Sequence, residues 1–122
     1  MTAYKILVVE DNPDNLTLIE DILVSLDYEV VTAQDGLSGL EKANTVQPDL
    51  ILMDLSLPKM DGWDVSREIK ANEQIKHIPI IALTAHALLG DRKRALDAGC
   101  DDYVSKPIRI PQLIAKLKKY LE

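Results

Sequence analysis

The sequence has a single cysteine, only two histidines and no long apolar run. One cysteine, Cys100, excludes an internal disulfide and is typical of a reducing compartment. Neither histidine has a cysteine or histidine partner at zinc-ligand spacing, so no zinc site is predicted. No apolar run approaches the roughly 20 residues of a membrane span, and no N-terminal signal peptide is recognisable. We therefore expect a cytoplasmic protein without a membrane segment.

Positive charge is scarce in the first half of the chain. Residues 1–60 contain 11 acidic and 3 basic side chains, whereas residues 61–122 contain 9 acidic and 11 basic ones. The net charge is −6, and because DNA binding requires lysine and arginine to neutralise phosphates, direct DNA binding is not expected. The late cations Lys116, Lys118 and Lys119 are interpreted only as complements to the dipole of the last helix.

Five short apolar segments alternate with segments of helical period over a length that suits one domain, residues 1–122. The predicted strands are Lys5–Val9, Glu29–Thr32, Asp49–Met53, Ile78–Leu83 and Asp102–Val104. The predicted helices begin near Pro13, Gly36, Gly62, Leu88 and Ile110. The fourth is expected over Leu88–Ala98 with Gly99 as its C-cap, and the last over Ile110–Leu121. This alternation predicts an α/β fold, with helices on both faces of a parallel sheet.

Polar side chains follow the apolar strands at the points where these end. Glu10 and Asp11 follow the first strand, and Asp54 follows the third. Thr84 follows the fourth strand, and Lys106 lies just beyond the fifth. Because ligands of open α/β sheets bind at the carboxyl ends of the strands, we expect these five residues to form one site.

Carboxylates, a hydroxyl and an ammonium together are suited to phosphoryl transfer. Mg²⁺ prefers oxygen ligands and is often held by one or two carboxylates, so Asp11 and Asp54 are candidate ligands, with Glu10 acting through water. A carboxylate can also be the nucleophile and form an aspartyl phosphate. Lys106 and Thr84 would then bind phosphoryl oxygens. These residues alone leave open which carboxylate is the nucleophile.

The order and spacing of the motifs resemble the receiver domain of two-component response regulators over the whole chain. The matching segments are Val8–Asn12, Asp49–Asp54, Leu57–Gly62, Ile80–Ala85 and Gly99–Pro107. The resemblance implies a flavodoxin-like (βα)5 fold, a doubly wound parallel sheet of strand order 2-1-3-4-5. It also implies Mg²⁺ as the cofactor and a histidine kinase or histidine phosphotransfer protein as the phosphoryl donor. An external substrate is not implied, so the chain is not expected to be an enzyme beyond its own phosphorylation and slow autodephosphorylation.

The resemblance also assigns roles to the residues of the site. Asp54 matches the phosphoacceptor, and Glu10 and Asp11 match the acidic pair that binds Mg²⁺. The metal ligands implied are thus Glu10, Asp11, Asp54 and the backbone carbonyl of Ser56. Lys106 matches the phosphate-binding lysine, and its bond to the following proline is expected to be cis.

The resemblance further implies a conformational switch. Thr84 matches the switch hydroxyl and Tyr103 the switch aromatic, which together remodel the face formed by the fourth helix, fifth strand and fifth helix. That face is expected to bind an unidentified downstream protein. The chain is expected to be a monomer, with dimerisation through the same face left open. Ser56 and His86 match variable positions that tune the phosphoryl lifetime, which therefore also stays open.

Two other phosphate-binding classes are weaker matches to the sequence. A small phosphohydrolase with an aspartyl phosphate generally has a second carboxylate two residues after its nucleophile, where this chain has Ser56. A flavodoxin-like nucleotide or flavin module needs a loop that presents N–H groups to a phosphate after the first strand. The loop Glu10–Asp14 is instead acidic and contains no glycine.

The context of the receiver is a further open alternative. The start Met1-Thr2-Ala3 and the end at Glu122 favour a stand-alone protein over the receiver of a hybrid histidine kinase. Both contexts use the same site chemistry. Native chain length distinguishes them.

Overall fold

The computed structural model describes residues 3–55, 57, 62–84, 93 and 96–121. The strands are β1 (Lys5–Val9), β2 (Glu29–Ala33), β3 (Leu50–Asp54), β4 (Ile80–Thr84) and β5 (Asp102–Ser105). The helices are α1 (Pro13–Ser25), α2 (Gly36–Val46), α3 (Gly62–Ala71) and a C-terminal helix (Ile110–Leu121). Most of the predicted fourth helix, Leu88–Ala98, lies outside the described residues, as do Ser56 and His86. Among the described helices, none combines the length and the apolar character needed to cross a bilayer.

All five strands are parallel and lie in the order β2-β1-β3-β4-β5. This confirms the flavodoxin-like order that the resemblance implied. β1 lies next to β3, with Val9 opposite Met53, and β3 lies next to β4, with Asp54 opposite Leu83. The carboxyl ends of the three central strands therefore meet at one edge of the sheet, which is where α/β folds bind their ligands.

Two apolar layers cover the sheet, one on each face. α1 and the C-terminal helix pack on one face through Leu16, Ile19, Ile22, Leu23, Leu113 and Leu117. α2 and α3 pack on the other through Ala43, Trp63, Val65 and Ile69. Every residue of β3 and β4 is buried, as expected for parallel strands covered on both faces. The predicted arrangement of helices on both faces is confirmed.

β3 and β4 end one residue later than the sequence pattern predicts, at Asp54 and Thr84. The backbone N–H of Leu55 donates to the carbonyl of Leu83 at 3.2 Å, and that of Lys106 donates to the carbonyl of Thr84 at 2.8 Å. The hydrogen-bond ladder thus continues past the apolar residues. Asp54 and Thr84 consequently have backbones fixed within the sheet, whereas the sequence pattern had placed them just beyond it.

β4 also begins later than predicted, at Ile80 instead of Ile78. The backbone N–H of Ile78 donates to the carbonyl of Ile75 at 3.1 Å, which closes a turn. Pro79 has no N–H to donate, so the regular ladder starts after it. Gly99, the predicted C-cap, has a φ of 98°, a conformation that favours glycine.

The first two helices begin with side-chain caps. The side chain of Asn12 accepts hydrogen bonds from the backbone N–H groups of Asp14 at 2.9 Å and Asn15 at 3.1 Å. Asp35 caps α2 by accepting from the N–H of Ser38 at 2.8 Å. Such caps satisfy N–H groups that have no partner within the helix. Because Asn12 directly follows the acidic pair, its cap also fixes the direction in which the chain leaves β1.

A buried carboxylate joins the start of β5 to the C-terminal helix. Asp102 is 8% exposed, and its Oδ1 lies 2.7 Å from Nζ of Lys116. The hydroxyl of Tyr120 donates to Oδ2 at 3.2 Å, and Nζ of Lys119 lies 3.6 Å from the same oxygen. Lys116 and Lys119 therefore do more than complement a helix dipole, which corrects their interpretation from sequence.

Asp102→Asn is expected to destabilise the protein by about 2 kcal/mol at neutral pH, because the neutral amide weakens the charge-assisted bonds to Lys116 and loses the ion pair with Lys119. Burial opposes ionisation of Asp102, but its bonds to Lys116, the N–H of Tyr103 and Tyr120 outweigh burial and lower the pKa of its carboxyl. A lowered pKa adds stability above the unfolded-state pKa, and this is lost as pH falls through the folded-state value. Urea unfolding should show that the difference in free energy of unfolding between the wild type and Asp102→Asn becomes smaller as the pH is lowered.

Asp64→Asn is the matched control for this prediction. Asp64 forms an exposed pair with Arg67 at 3.1 Å within α3, with side-chain exposures of 57% and 58%. Exposed pairs of this kind contribute about 0.5 kcal/mol. Equal effects of the two substitutions at neutral pH would show that the Asp102 cluster does not hold the C-terminal helix.

Candidate functional site

Three carboxylates meet at the carboxyl edge of the sheet. Glu10, Asp11 and Asp54 each place one oxygen so that all three oxygens lie within 4.8 Å of one another. Glu10 is fully buried, Asp54 is 4% exposed and Asp11 is exposed. The pairing of Val9 with Met53 brings the residues that follow them side by side. The juxtaposition expected from the strand ends is therefore present.

Lys106 completes the buried part of this cluster. Its Nζ lies 3.0 Å from Oε1 of Glu10 and 3.3 Å from Oδ2 of Asp54. The peptide bond between Lys106 and Pro107 is cis, as the resemblance implied. One ammonium thus offsets the repulsion between two adjacent carboxylates. The sequence did not indicate that this lysine would lie closer to Glu10 than to Asp54.

The proton affinities of the cluster reflect burial and neighbouring charge. Burial, followed by the adjacent Asp54 carboxylate, raises the pKa of Glu10 to about 7, although Lys106 acts in the opposite direction. Burial alone would lower the pKa of Lys106, but its contacts with Glu10 and Asp54 outweigh burial and raise it. Burial and the neighbouring carboxylate therefore outweigh Lys106 in setting the proton affinity of Glu10.

The donor set fits a hard divalent cation. Oε1 of Glu10 is buried and, among the described residues, has the ion pair with Lys106 but no aligned hydrogen bond. All three carboxylates offer oxygen, and the exposed Asp11 leaves the cluster open to solvent. Mg²⁺ favours this combination because it takes oxygen ligands and usually keeps several waters. The further ligand predicted, the carbonyl of Ser56, lies outside the described residues.

Thr84 and Tyr103 lie on the same face of the sheet, with Thr84 at the carboxyl end of β4 and Tyr103 two residues further from that edge in register. Thr84 is 3% exposed and ends β4. Tyr103 pairs with Ala82, which lies two residues before Thr84 and therefore points to the same face. The ring of Tyr103 is half-buried against the core layer that contains Ala82. The switch roles that the resemblance implies for Thr84 and Tyr103 stay predictions.

Gly62 is a positioning residue that sequence reasoning missed. A Cβ atom at this position would lie 2.3 Å from the carbonyl oxygen of Asp54 and 2.7 Å from Cα of Leu55. Only glycine allows α3 to start this close to the end of β3. The Asp61-Gly62 pair did indicate the start of a helix, but it carried no signal of the contact with Asp54, because the packing distance between the end of β3 and the start of α3 is not encoded in the residue pattern.

Comparison with known sequences identifies the family to which this chain belongs. The sequence profile of the Response regulator receiver domain matches residues 6–118. The polar-differentiation response regulator DivK of Brucella ovis is 42% identical over 116 residues, which is 95% of this chain and 94% of DivK. The similarity therefore extends over nearly the full length of both chains.

Solved structures agree with this match. The receiver domain of the sensor histidine kinase PA1611 from Pseudomonas aeruginosa, with a magnesium ion in its active-site cleft, is 45% identical with a TM-score of 0.92 over 98% of each chain. The receiver domain of Saccharomyces cerevisiae Ssk1, in its co-crystal with the histidine phosphotransfer protein Ypd1, is 27% identical with a TM-score of 0.90, covering 97% of this chain and 88% of that one. The chain therefore belongs to the response regulator receiver domain family and is a receiver of two-component phosphorelay signalling.

Proposed function

We propose that Asp54 accepts a phosphoryl group from a phosphohistidine on a histidine kinase or a histidine phosphotransfer protein. The observation that supports this assignment is the position of Asp54, which ends β3 with its carboxylate beside the acidic pair and 3.3 Å from Nζ of Lys106. The co-crystal of the similar Ssk1 receiver with Ypd1 supports the class of donor. We assign residues 1–122 to one receiver domain that acts in the cytoplasm.

The chemical step is a displacement at phosphorus. A carboxylate oxygen of Asp54 attacks, the P–N bond of the phosphohistidine breaks, and its electron pair stays on the imidazole nitrogen. The product is an acyl phosphate on Asp54. Lys106, already 3.3 Å from Oδ2 of Asp54, is placed to donate to a phosphoryl oxygen. The hydroxyl of Thr84 is assigned to another phosphoryl oxygen, so that catalysis consists of positioning and charge stabilisation.

Glu10, Asp11 and Asp54 are assigned as the carboxylate ligands of Mg²⁺, with the carbonyl of Ser56 as a further ligand. When bound there, Mg²⁺ would supply positive charge that offsets the repulsion between the nucleophile and the anionic phosphoryl group. Glu10 holds the buried side of this site and Asp11 the solvent side. The magnesium ion in the cleft of the similar PA1611 receiver supports the choice of metal.

Phosphorylation is proposed to act on partners through Thr84 and Tyr103. Thr84 moves toward the phosphoryl group, and the ring of Tyr103 turns into the space that this movement vacates. The face formed by the predicted fourth helix, β5 and the C-terminal helix then changes shape and binds a downstream protein. The receiver is a monomer in this scheme, and phosphorylation-dependent dimerisation through the same face is the alternative to a separate partner.

Incubation with acetyl phosphate and Mg²⁺ is expected to add the mass of one phosphoryl group to the intact protein. Removing the metal with EDTA should slow uptake by more than about 100-fold, since a metal contributes several kcal/mol to such a transition state. Trp63, the only tryptophan, is buried at the start of α3 beside Gly62 and can report Mg²⁺ binding by fluorescence.

Two outcomes would contradict the proposal. One is the absence of an adduct in Mg²⁺, and the other is equal uptake in Mg²⁺ and in EDTA. Sustained multiple turnover of phosphate monoesters would instead favour the phosphohydrolase alternative.

A receiver that is part of a hybrid histidine kinase is the second candidate context. The 45% identity to the receiver domain of the sensor histidine kinase PA1611 favours it, whereas the 42% identity to the response regulator DivK favours a stand-alone protein. The chemistry proposed for Asp54 is the same in both. An antibody against the receiver, used on extracts of the source cells, would distinguish the two by chain length.

A further inference from the structure

Lys116 contacts a carboxylate on β5, that of Asp102, and also the aromatic ring of the next residue, Tyr103. Its Nζ lies 2.7 Å from Oδ1 of Asp102 and 5.5 Å from the centre of the Tyr103 ring. The side chain of Lys116 is 26% exposed, so the ammonium is partly removed from solvent. A lysine cation within about 6 Å of an aromatic face stabilises that ring position, and more strongly where water is excluded.

The ammonium of Lys116 is held by a carboxylate that is itself fixed. Oδ1 of Asp102 also accepts the backbone N–H of Tyr103 at 2.8 Å, and its Oδ2 accepts the hydroxyl of Tyr120 at 3.2 Å. Both carboxylate oxygens are therefore oriented by other groups. It follows that the position of the cation is set by β5 and the C-terminal helix together, and that it is not a freely moving surface charge.

We propose that Lys116 is a positioning residue that holds the ring of Tyr103 in its half-buried position against the core layer. The consequence for signalling rests on the switch role of Tyr103 proposed above. Because coupling between two positions is reciprocal, a ring that turns away loses its contact with the ammonium and so weakens the hold on Lys116, and a displaced lysine in turn weakens the hold on the ring. An acidic group of a partner that draws Lys116 away from Tyr103 would thus favour the turned orientation of the ring. Because phosphorylation favours the same orientation, partner binding at the C-terminal helix would be linked to the phosphorylation state.

The inference can be tested on the unphosphorylated protein by measuring the χ1 rotamers of Tyr103. Three-bond couplings from the ring carbon Cγ to the backbone nitrogen and carbonyl carbon report χ1 directly and are insensitive to a nearby charge as such. In Lys116→Met, which keeps an unbranched apolar stem, the χ1 rotamers of Tyr103 other than the dominant wild-type one should gain population roughly threefold. Lys116→Arg, which keeps the cation, should retain the couplings of the wild type.

Lys118→Met is the control, because Lys118 is an exposed neighbour on the same helix. It should leave the couplings of Tyr103 unchanged. Wild-type couplings in Lys116→Met would overturn the inference, and so would equal changes in Lys116→Met and Lys116→Arg, which would assign the effect to packing. Since no phosphodonor is used, this result is independent of whether Asp54 accepts a phosphoryl group.

Discussion

Asp54→Asn is expected to take up no phosphoryl group from acetyl phosphate in Mg²⁺, whereas the wild type gains one. The amide has nearly the shape of the carboxylate but is not a nucleophile toward phosphorus under these conditions. Folding should be kept, because Lys106 still has Glu10 at 3.0 Å and the repulsion between two adjacent carboxylates is removed. Its free energy of unfolding should therefore equal or exceed that of the wild type. Intact mass and urea unfolding measure the two effects separately.

Asp49→Asn is the matched control for this result. Asp49 precedes the same strand at its opposite end, where it is exposed and its Oδ2 accepts the N–H of Lys5 at 2.7 Å. It should be phosphorylated like the wild type. An undiminished adduct on Asp54→Asn would transfer the acceptor role to another side chain, with Glu10 and Asp11 as the next to replace.

Lys106→Met is expected to lose both stability and phosphoryl uptake. Its ammonium is the counter-charge shared by Glu10 and Asp54, and removing one partner of a buried ion pair costs about 3 kcal/mol. The phosphoryl group also loses a preorganised cation, so uptake by the folded protein should slow on the order of 100-fold. Urea unfolding gives the first effect, and the time course of the mass adduct gives the second.

Lys118→Met is the matched control here as well, since it removes an exposed lysine from the same half of the chain. Lys118→Met should change neither the free energy of unfolding nor the rate of phosphoryl uptake. Uptake at the wild-type rate by Lys106→Met would leave the lysine as a structural counter-ion without a role in the reaction.

The arrangement of helices and strands was largely predictable because the apolar pattern is strong. Strands buried on both faces must be apolar throughout, and the helices that cover them must show apolar residues at helical spacing. Strand limits were less predictable. Asp54 and Thr84 belong to their strands because backbone hydrogen bonds continue past the apolar residues, and side-chain pattern does not report such bonds.

The meeting of the three carboxylates was predictable because their position follows from topology. Once strands are parallel, their carboxyl ends share one edge, and polar residues at those ends must meet there. The choice of Asp54 as acceptor came from the resemblance to receiver domains and not from the chemistry of three similar carboxylates. The approach of Gly62 to Asp54 escaped prediction, since it joins two elements whose packing distance no local pattern encodes.

The sequence by itself thus determined the α/β class, the acidic edge and its suitability for phosphate chemistry, all of which depend on residue type and periodicity. Only the tertiary structure decided which charges pair. Lys106 lies nearer to Glu10 than to Asp54, and Lys116 is bound to Asp102 beside Tyr103. The physical reason is that an ion pair depends on distances of a few ångströms between side chains far apart in sequence, and those distances exist only after the sheet and helices have packed.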